Sequence, residues 1–174
     1  MKTDETARIW ARIIFVWILF LVCVFTVQPD ALKMYREADL DGDNDLSMEE
    51  LSVFQKNLYK AYKYLPNKTA LSPDEFLLQG GGDCEDWAIM ICGLLSYYDY
   101  ENYVGVLPGS DPGVNHAIAL VAAAVIYPGE VAFRLKDYYL ICLDYDLTGG
   151  VSSAVGSLER LQIFPADLLI GQEM

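Results

Sequence analysis

The stretch Gln79-Gly80-Gly81-Gly82-Asp83-Cys84-Glu85-Asp86-Trp87-Ala88-Ile89-Met90 decides how the rest of the chain is read. Three consecutive glycines permit a tight backbone entry into a helix. Asp83 is a natural N-cap, and Asp86, three residues on, makes a weak version of the capping box. From Trp87 to Leu95 the chain is almost wholly apolar, so the helix is expected to be buried on nearly all sides. Cys84 then falls in its first turn, where unpaired N–H groups and the helix dipole stabilise a thiolate, the nucleophilic form of cysteine. The carboxylates of Asp83, Glu85 and Asp86 oppose that effect. A reactive Cys84 therefore needs an imidazole beside it.

The chain has a single histidine. His116 opens the run Ala117-Ile118-Ala119-Leu120-Val121, which predicts a strand after the Pro/Gly-rich loop 108–113. A base at a strand start, facing a helix N-terminus, makes a Cys–His pair. Farther on, Tyr138 to Leu143 reads as another strand, ending at Asp144, where a carboxylate can accept from the second imidazole nitrogen. Cys92 and Cys142 read as inert core. Tyr127-Pro128-Gly129 reads as a hairpin bordering the cleft, and the segment from Ser157 to Ile170 as a cap on the domain.

Gly-Asp-Cys-Glu-Asp opening a helix, His-Ala beginning a strand and Leu-Asp ending a later one, in that order, resemble the transglutaminase-like cysteine peptidase superfamily over residues 70–150. The resemblance implies an α+β fold, with a papain/transglutaminase-like core in which the cysteine helix packs on an antiparallel sheet. It implies Cys84 as nucleophile, His116 as general base and acid, and Asp144 as the residue that orients the imidazole. Asp146 competes for the last role, because many members have Asp followed by Pro where this chain reads Asp144-Tyr145. The Cys84 N–H would form half of an oxyanion hole, and Gln79, by analogy with papain-like enzymes, would give the second donor. The chemistry implied is thiol acyl transfer on an amide of a protein or peptide substrate. Resolution of the thioester by water makes a peptidase or amidase, and resolution by a lysine amine makes a cross-linking enzyme. The competing reading is a non-catalytic, calcium-stabilised surface module whose cleft binds a peptide.

Upstream lies Asp39-Leu40-Asp41-Gly42-Asp43-Asn44-Asp45-Leu46-Ser47-Met48-Glu49-Glu50. It follows a short predicted helix over 30–38 and precedes Leu51, Phe54, Leu58, Tyr62 and Leu65 at helical spacing. Helix, acidic twelve-residue loop and helix is the EF-hand arrangement. Calcium takes several hard oxygens, and alternate residues point inward as such a loop wraps the ion. Asp39, Asp41 and Asp43 hold the alternating positions, Asp45 offers its carbonyl, Ser47 acts directly or through water, and Glu50 closes the sphere with both oxygens. Asn44 stands at the sharp turn where the family has Gly, and Asn tolerates the left-handed backbone required there. A single loop points to a structural clamp rather than a sensor, unless dimerisation completes a pair.

From Ile13 to Val27 every residue but Thr26 is apolar, and Ile9, Trp10 and Ala11 extend the run across Arg12. With those residues the span approaches the ~20 a membrane helix needs, Arg12 snorkelling at its end. No small-x-small pattern follows, so an uncleaved anchor is favoured over a signal peptide. Lys2, Arg8 and Arg12 before the span, against Lys33 and Arg36 after it, place the domain on the extracytoplasmic side. Asn67-Lys68-Thr69 is a sequon that fits an exported loop. The organisation expected is an anchor over 1–29, a helix-loop-helix over 30–66 and the transglutaminase-like domain over 67–174. The formal net charge of −13 argues against a nucleic-acid partner, since phosphates are met with Lys and Arg.

Overall fold

The structure, a computed structural model, describes residues 30–108, 115–124, 132–135, 138–143 and 161–168. Helices come first: α1 (Asp30–Arg36), α2 (Met48–Ala61), α3 (Pro73–Gln79) and α4 (Cys84–Tyr97), with the short strands β1 (Lys63–Tyr64) and β2 (Gly81–Gly82) between them. Then follow β3 (Asn102–Pro108), β4 (Asn115–Ala123), β5 (Ala132–Leu135), β6 (Tyr138–Leu143), β7 (Gln162–Phe164) and a 3₁₀ turn over Ala166–Leu168. β3 to β7 form one sheet in the order β5-β6-β4-β3-β7, every described pairing antiparallel. Helices laid on one antiparallel sheet give the mixed α+β class expected.

The pleat explains how α4 meets the sheet. Ala117, Ala119 and Val121 alternate along β4 and join the cluster that holds Trp87, Met90 and Leu94 of α4. The two alanines leave the helix room to approach. Ile118 and Leu120 fall on the opposite face, in a second cluster with Leu107 and Leu140. Register is fixed by that two-sided pattern, with His116 opposite Leu107 and Leu143 opposite Ala119.

The amino-terminal helices share this core. Ala31, Tyr35, Leu46, Leu51, Phe54 and Leu58 lie in the same cluster as α4. Tyr35 Oη donates to the Met90 carbonyl at 3.1 Å, and a Cβ on Gly93 would stand 2.3 Å from that oxygen. A side chain at 93 would therefore push α1 off α4. Two boundaries differ from the sequence reading. α1 ends at Arg36, and α2 ends at Ala61, with Tyr62 in extended conformation. Leu65 is thus outside the helix, because the chain turns there into β1, which pairs in parallel with Gly81–Gly82. The C-terminal segment gives the sheet its edge strand β7, paired with β3, as well as a cap.

Among the described residues no helix is long and apolar enough to cross a membrane. The anchor expected over 1–29 and the hairpin at 127–129 lie outside them.

Candidate active site at the start of α4

Each glycine of the run before Cys84 has its own reason. Gly80 caps α3 in the left-handed conformation (φ 82°). Gly81 has φ 141°, and a Cβ there would lie 1.9 Å from the Lys63 carbonyl oxygen, so only glycine allows β1 and β2 to pair. At Gly82 a Cβ would stand 2.2 Å from Asp86 Oδ2. The Gly82 carbonyl accepts from Trp87 Nε1 at 3.1 Å and from Leu65 N at 2.9 Å.

The cap of α4 is a complete capping box. Asp83 Oδ1 accepts from Glu85 N at 3.2 Å, and Asp86 Oδ2 accepts from Asp83 N at 2.9 Å. Asp86 is 1% exposed and has further donors: Leu71 N at 2.7 Å and the Asn67 side-chain amide. Burial raises its pKa above the ordinary carboxylate value, against the pull of the Leu71 and Asp83 N–H groups. Glu85 is pushed up to about 7, chiefly by burial and then by the charges of Asp83 and Asp86.

Cys84 is the first residue of α4 and is 8% exposed. Its Sγ donates to the carbonyl of Asn115 at 3.9 Å, across 31 residues of sequence. The fold therefore brings the helix start against the start of β4. His116 is the next residue after Asn115 and is half-buried. Asp144 and Asp146, the candidates for the third role, lie outside the described residues, directly after the end of β6. Gln79 is the exposed last residue of α3, with the left-handed turn at Gly80 and β2 between it and Cys84. Among the described residues, Cys84, Cys92 and Cys142 form no disulfide. Cys92 is buried, donates to the Tyr103 carbonyl at 3.3 Å, and is pushed up to about 12 by burial, which fits an inert core residue.

The acidic turn between α1 and α2 is tightly organised. Asp39 accepts from Gly42 N at 2.7 Å and Asn44 N at 3.0 Å, Asp41 from Asp43 N at 3.2 Å, and Asp43 from Asp45 N at 2.8 Å. Asn44 takes the left-handed conformation expected of it (φ 64°). One oxygen from each of Asp39, Asp41 and Asp43 lies within 4.8 Å of the others. Asp41 is raised even though the Asp43 N–H lowers it, because burial and the charges of Asp43, Glu50 and Asp39 outweigh that bond. The Asp45 carboxylate is taken by Leu46 N at 2.8 Å and Tyr100 Oη at 2.6 Å, which leaves its backbone carbonyl for other partners. Ser47 caps α2, and Glu50 is buried beneath the turn, accepting from Leu40 N at 2.7 Å, Ser47 N at 2.9 Å and Ser47 Oγ at 2.7 Å. The Ser47 hydroxyl and the Ser47 and Leu40 N–H groups hold it down to about 2.

Sequence reading missed three parts of this region. Ser72-Pro73-Asp74-Glu75 carries a capping box with proline in the first turn, a legible signal for α3. Tyr100, which ties the acidic turn to the end of α4, and Asn67, which reaches Asp86, had no local signal.

No protein-family model and no curated protein matches the sequence. Among solved structures the chain is similar to Legionella pneumophila LapG and to Legionella pneumophila LapG (EGTA-treated), each at 16% identity and a TM-score of 0.44. The matches cover 82% of this chain and 80% and 78% of those chains. A correspondence of that size is a loose agreement in the course of the chain and decides nothing about chemistry.

Proposed function

We propose that this protein is a transglutaminase-like thiol enzyme acting on amide bonds of a protein or peptide substrate, as a peptidase, amidase or protein acyl transferase. The observation that carries the reading is Cys84 at the first position of α4 with its Sγ against the Asn115 carbonyl, one residue before the chain's single histidine. In this reading Cys84 Sγ attacks the substrate carbonyl and His116 takes the thiol proton. His116 then returns it to the departing amine, and Asp144, or Asp146 in its place, orients the imidazole. The Cys84 N–H stabilises the developing oxyanion, with Gln79 as the second donor of the resemblance. His116 is essential here as the base that takes the thiol proton.

Calcium is the cofactor of this reading. The donor set fits a hard divalent cation: clustered carboxylate oxygens of Asp39, Asp41 and Asp43, the Asp45 carbonyl, Ser47 and Glu50. When bound, the ion would neutralise the mutual repulsion of these groups and rigidify the turn that Tyr100 links to the end of α4. The protein is anchored through residues 1–29 with its domain on the extracytoplasmic side.

A second reading, a non-catalytic calcium-stabilised binding module, is favoured by the 8% exposure of Cys84 and the acidic residues around it. Iodoacetamide labelling of Cys84 across pH, followed by mass spectrometry in the full chain and in His116→Ala, separates the two. Fast labelling below about pH 7, where an ordinary thiol of pKa about 8.5 is protonated, with loss in the variant, supports the enzyme. Slow labelling that follows an ordinary thiol in both proteins leaves the binding module.

A further inference from the structure

Asp83 and Asp86 stand on either side of Cys84, and like charges one helical turn apart repel. What holds them is a set of N–H donors. Glu85 N bonds Asp83, while Asp83 N and Leu71 N bond Asp86. Asn67 reaches both: its backbone N–H donates to Asp83 Oδ2 at 3.4 Å and its side-chain Nδ2 donates to Asp86 Oδ2. The orientation of that amide is dictated by its partner. An ionised Asp86 only accepts, so Nδ2 faces it, and Asn67 Oδ1 is left buried without a hydrogen-bond partner. An acceptor left unpaired in this way marks a side chain placed for Asp86 rather than for its own satisfaction.

We infer that Asn67 is a positioning residue for Cys84: it clamps the carboxylates flanking the cysteine and so fixes the first turn of α4, with the Cys84 N–H and the thiol beside it. The inference rests on the reading of Cys84 as the nucleophile. Its physical content is preorganisation. A first turn held from outside keeps the Cys84 N–H aimed at an oxyanion without reorganising during the reaction. The clamp also gives Asn67-Lys68-Thr69 a different meaning from a glycan acceptor, because a sugar would sit on the nitrogen that meets Asp86. The charged and titratable groups around the thiol are Asp83, Glu85 and Asp86 at the start of α4 and His116 on β4, the residue after the Asn115 whose carbonyl the thiol meets.

The test uses the full chain, Asn67→Ala, the conservative Asn67→Gln, and Asp74→Ala. The last removes a 3.1 Å hydrogen bond to Ala31 N, outside the α4 cap, and controls for stability loss alone. Two quantities are read: the pH profile of Cys84 alkylation and the amide hydrogen exchange of residues 84–86. In Asn67→Ala the alkylation midpoint is expected to rise by about one pH unit, roughly a tenfold lower rate near neutral pH, with the high-pH plateau unchanged. Exchange in the first turn is expected to speed up about tenfold, with Asn67→Gln intermediate and Asp74→Ala unchanged in both. A profile and exchange pattern in Asn67→Ala and Asn67→Gln that superimpose on the parent would overturn the clamp. If the parent's Cys84 itself titrates as an ordinary thiol, the nucleophile reading fails separately, and exchange alone still decides whether Asn67 holds the turn.

Discussion

Replacing Gly82 by alanine tests how firmly the entry to α4 is built. The added Cβ would lie 2.2 Å from Asp86 Oδ2, 2.5 Å from its Cβ and 2.7 Å from its Cγ, all far inside van der Waals contact. Asp86 cannot swing away cheaply. It is 1% exposed and receives Leu71 N, Asp83 N and the Asn67 amide. Overpacking alone costs about 1–3 kcal/mol, and each buried donor left without its acceptor adds about 1–3 kcal/mol. With one donor lost, Gly82→Ala should destabilise the protein by about 2–6 kcal/mol, a large part of a typical domain's ~5–15 kcal/mol. Gly80→Ala is the comparison. Nothing lies within 4 Å of a Cβ there, so only the left-handed backbone matters, about 1–2 kcal/mol. Urea unfolding followed by tryptophan fluorescence suits the measurement, because Trp87 is buried and donates to the Gly82 carbonyl. A Gly82→Ala midpoint no lower than that of Gly80→Ala would refute the account of Asp86 as the fixed anchor of this turn.

Three further outcomes follow from the electrostatics. Glu85 has a folded-state pKa of about 7, above its unfolded value, so its contribution is fully present below about pH 4.5 and is lost as pH rises through 7. Glu85→Gln should therefore gain stability over the parent progressively across that window, by about 1–2 kcal/mol once solvent screening of a half-exposed group is allowed for, as read by denaturation at several pH values. Glu50 behaves oppositely: held down to about 2, it supports the fold above its ordinary pKa, and that support is lost as pH falls towards 2. Thermal melts of Glu50→Gln should accordingly lie below those of the parent at neutral pH and converge with them in acid. Calcium at one hundred times its dissociation constant should stabilise the parent by about 2.7 kcal/mol and Glu50→Gln by much less, with chelator reversing the gain. A melt that ignores both calcium and chelator would remove the cation from this reading.

The sequence by itself determined the features that depend on local chemistry. Asp83 and Asp86 capped a helix because a carboxylate near a helix start finds unpaired N–H groups wherever the chain goes next. The apolar run to Leu95 read as a buried helix and the apolar run from Ala117 to Val121 as a strand, while its two covered faces came from the tertiary packing. Asn44 took the left-handed turn because its own side chain tolerates it. The end of α2 was misjudged because Leu65 keeps helical spacing, while the pairing of β1 with Gly81 and Gly82 lies in a segment no local pattern could announce. Asn67 was legible only as a sequon, since its partner is 19 residues away and the match between amide and buried carboxylate exists only once both are brought together. Meeting of Cys84 with the start of β4 is likewise a product of packing: small residues at 117 and 119 let α4 lie close on the sheet, and register then decides which carbonyl the thiol finds. Propensity and capping act through neighbours in sequence, whereas desolvation and long-range hydrogen bonds act through neighbours in space, and the candidate site is made of the second kind.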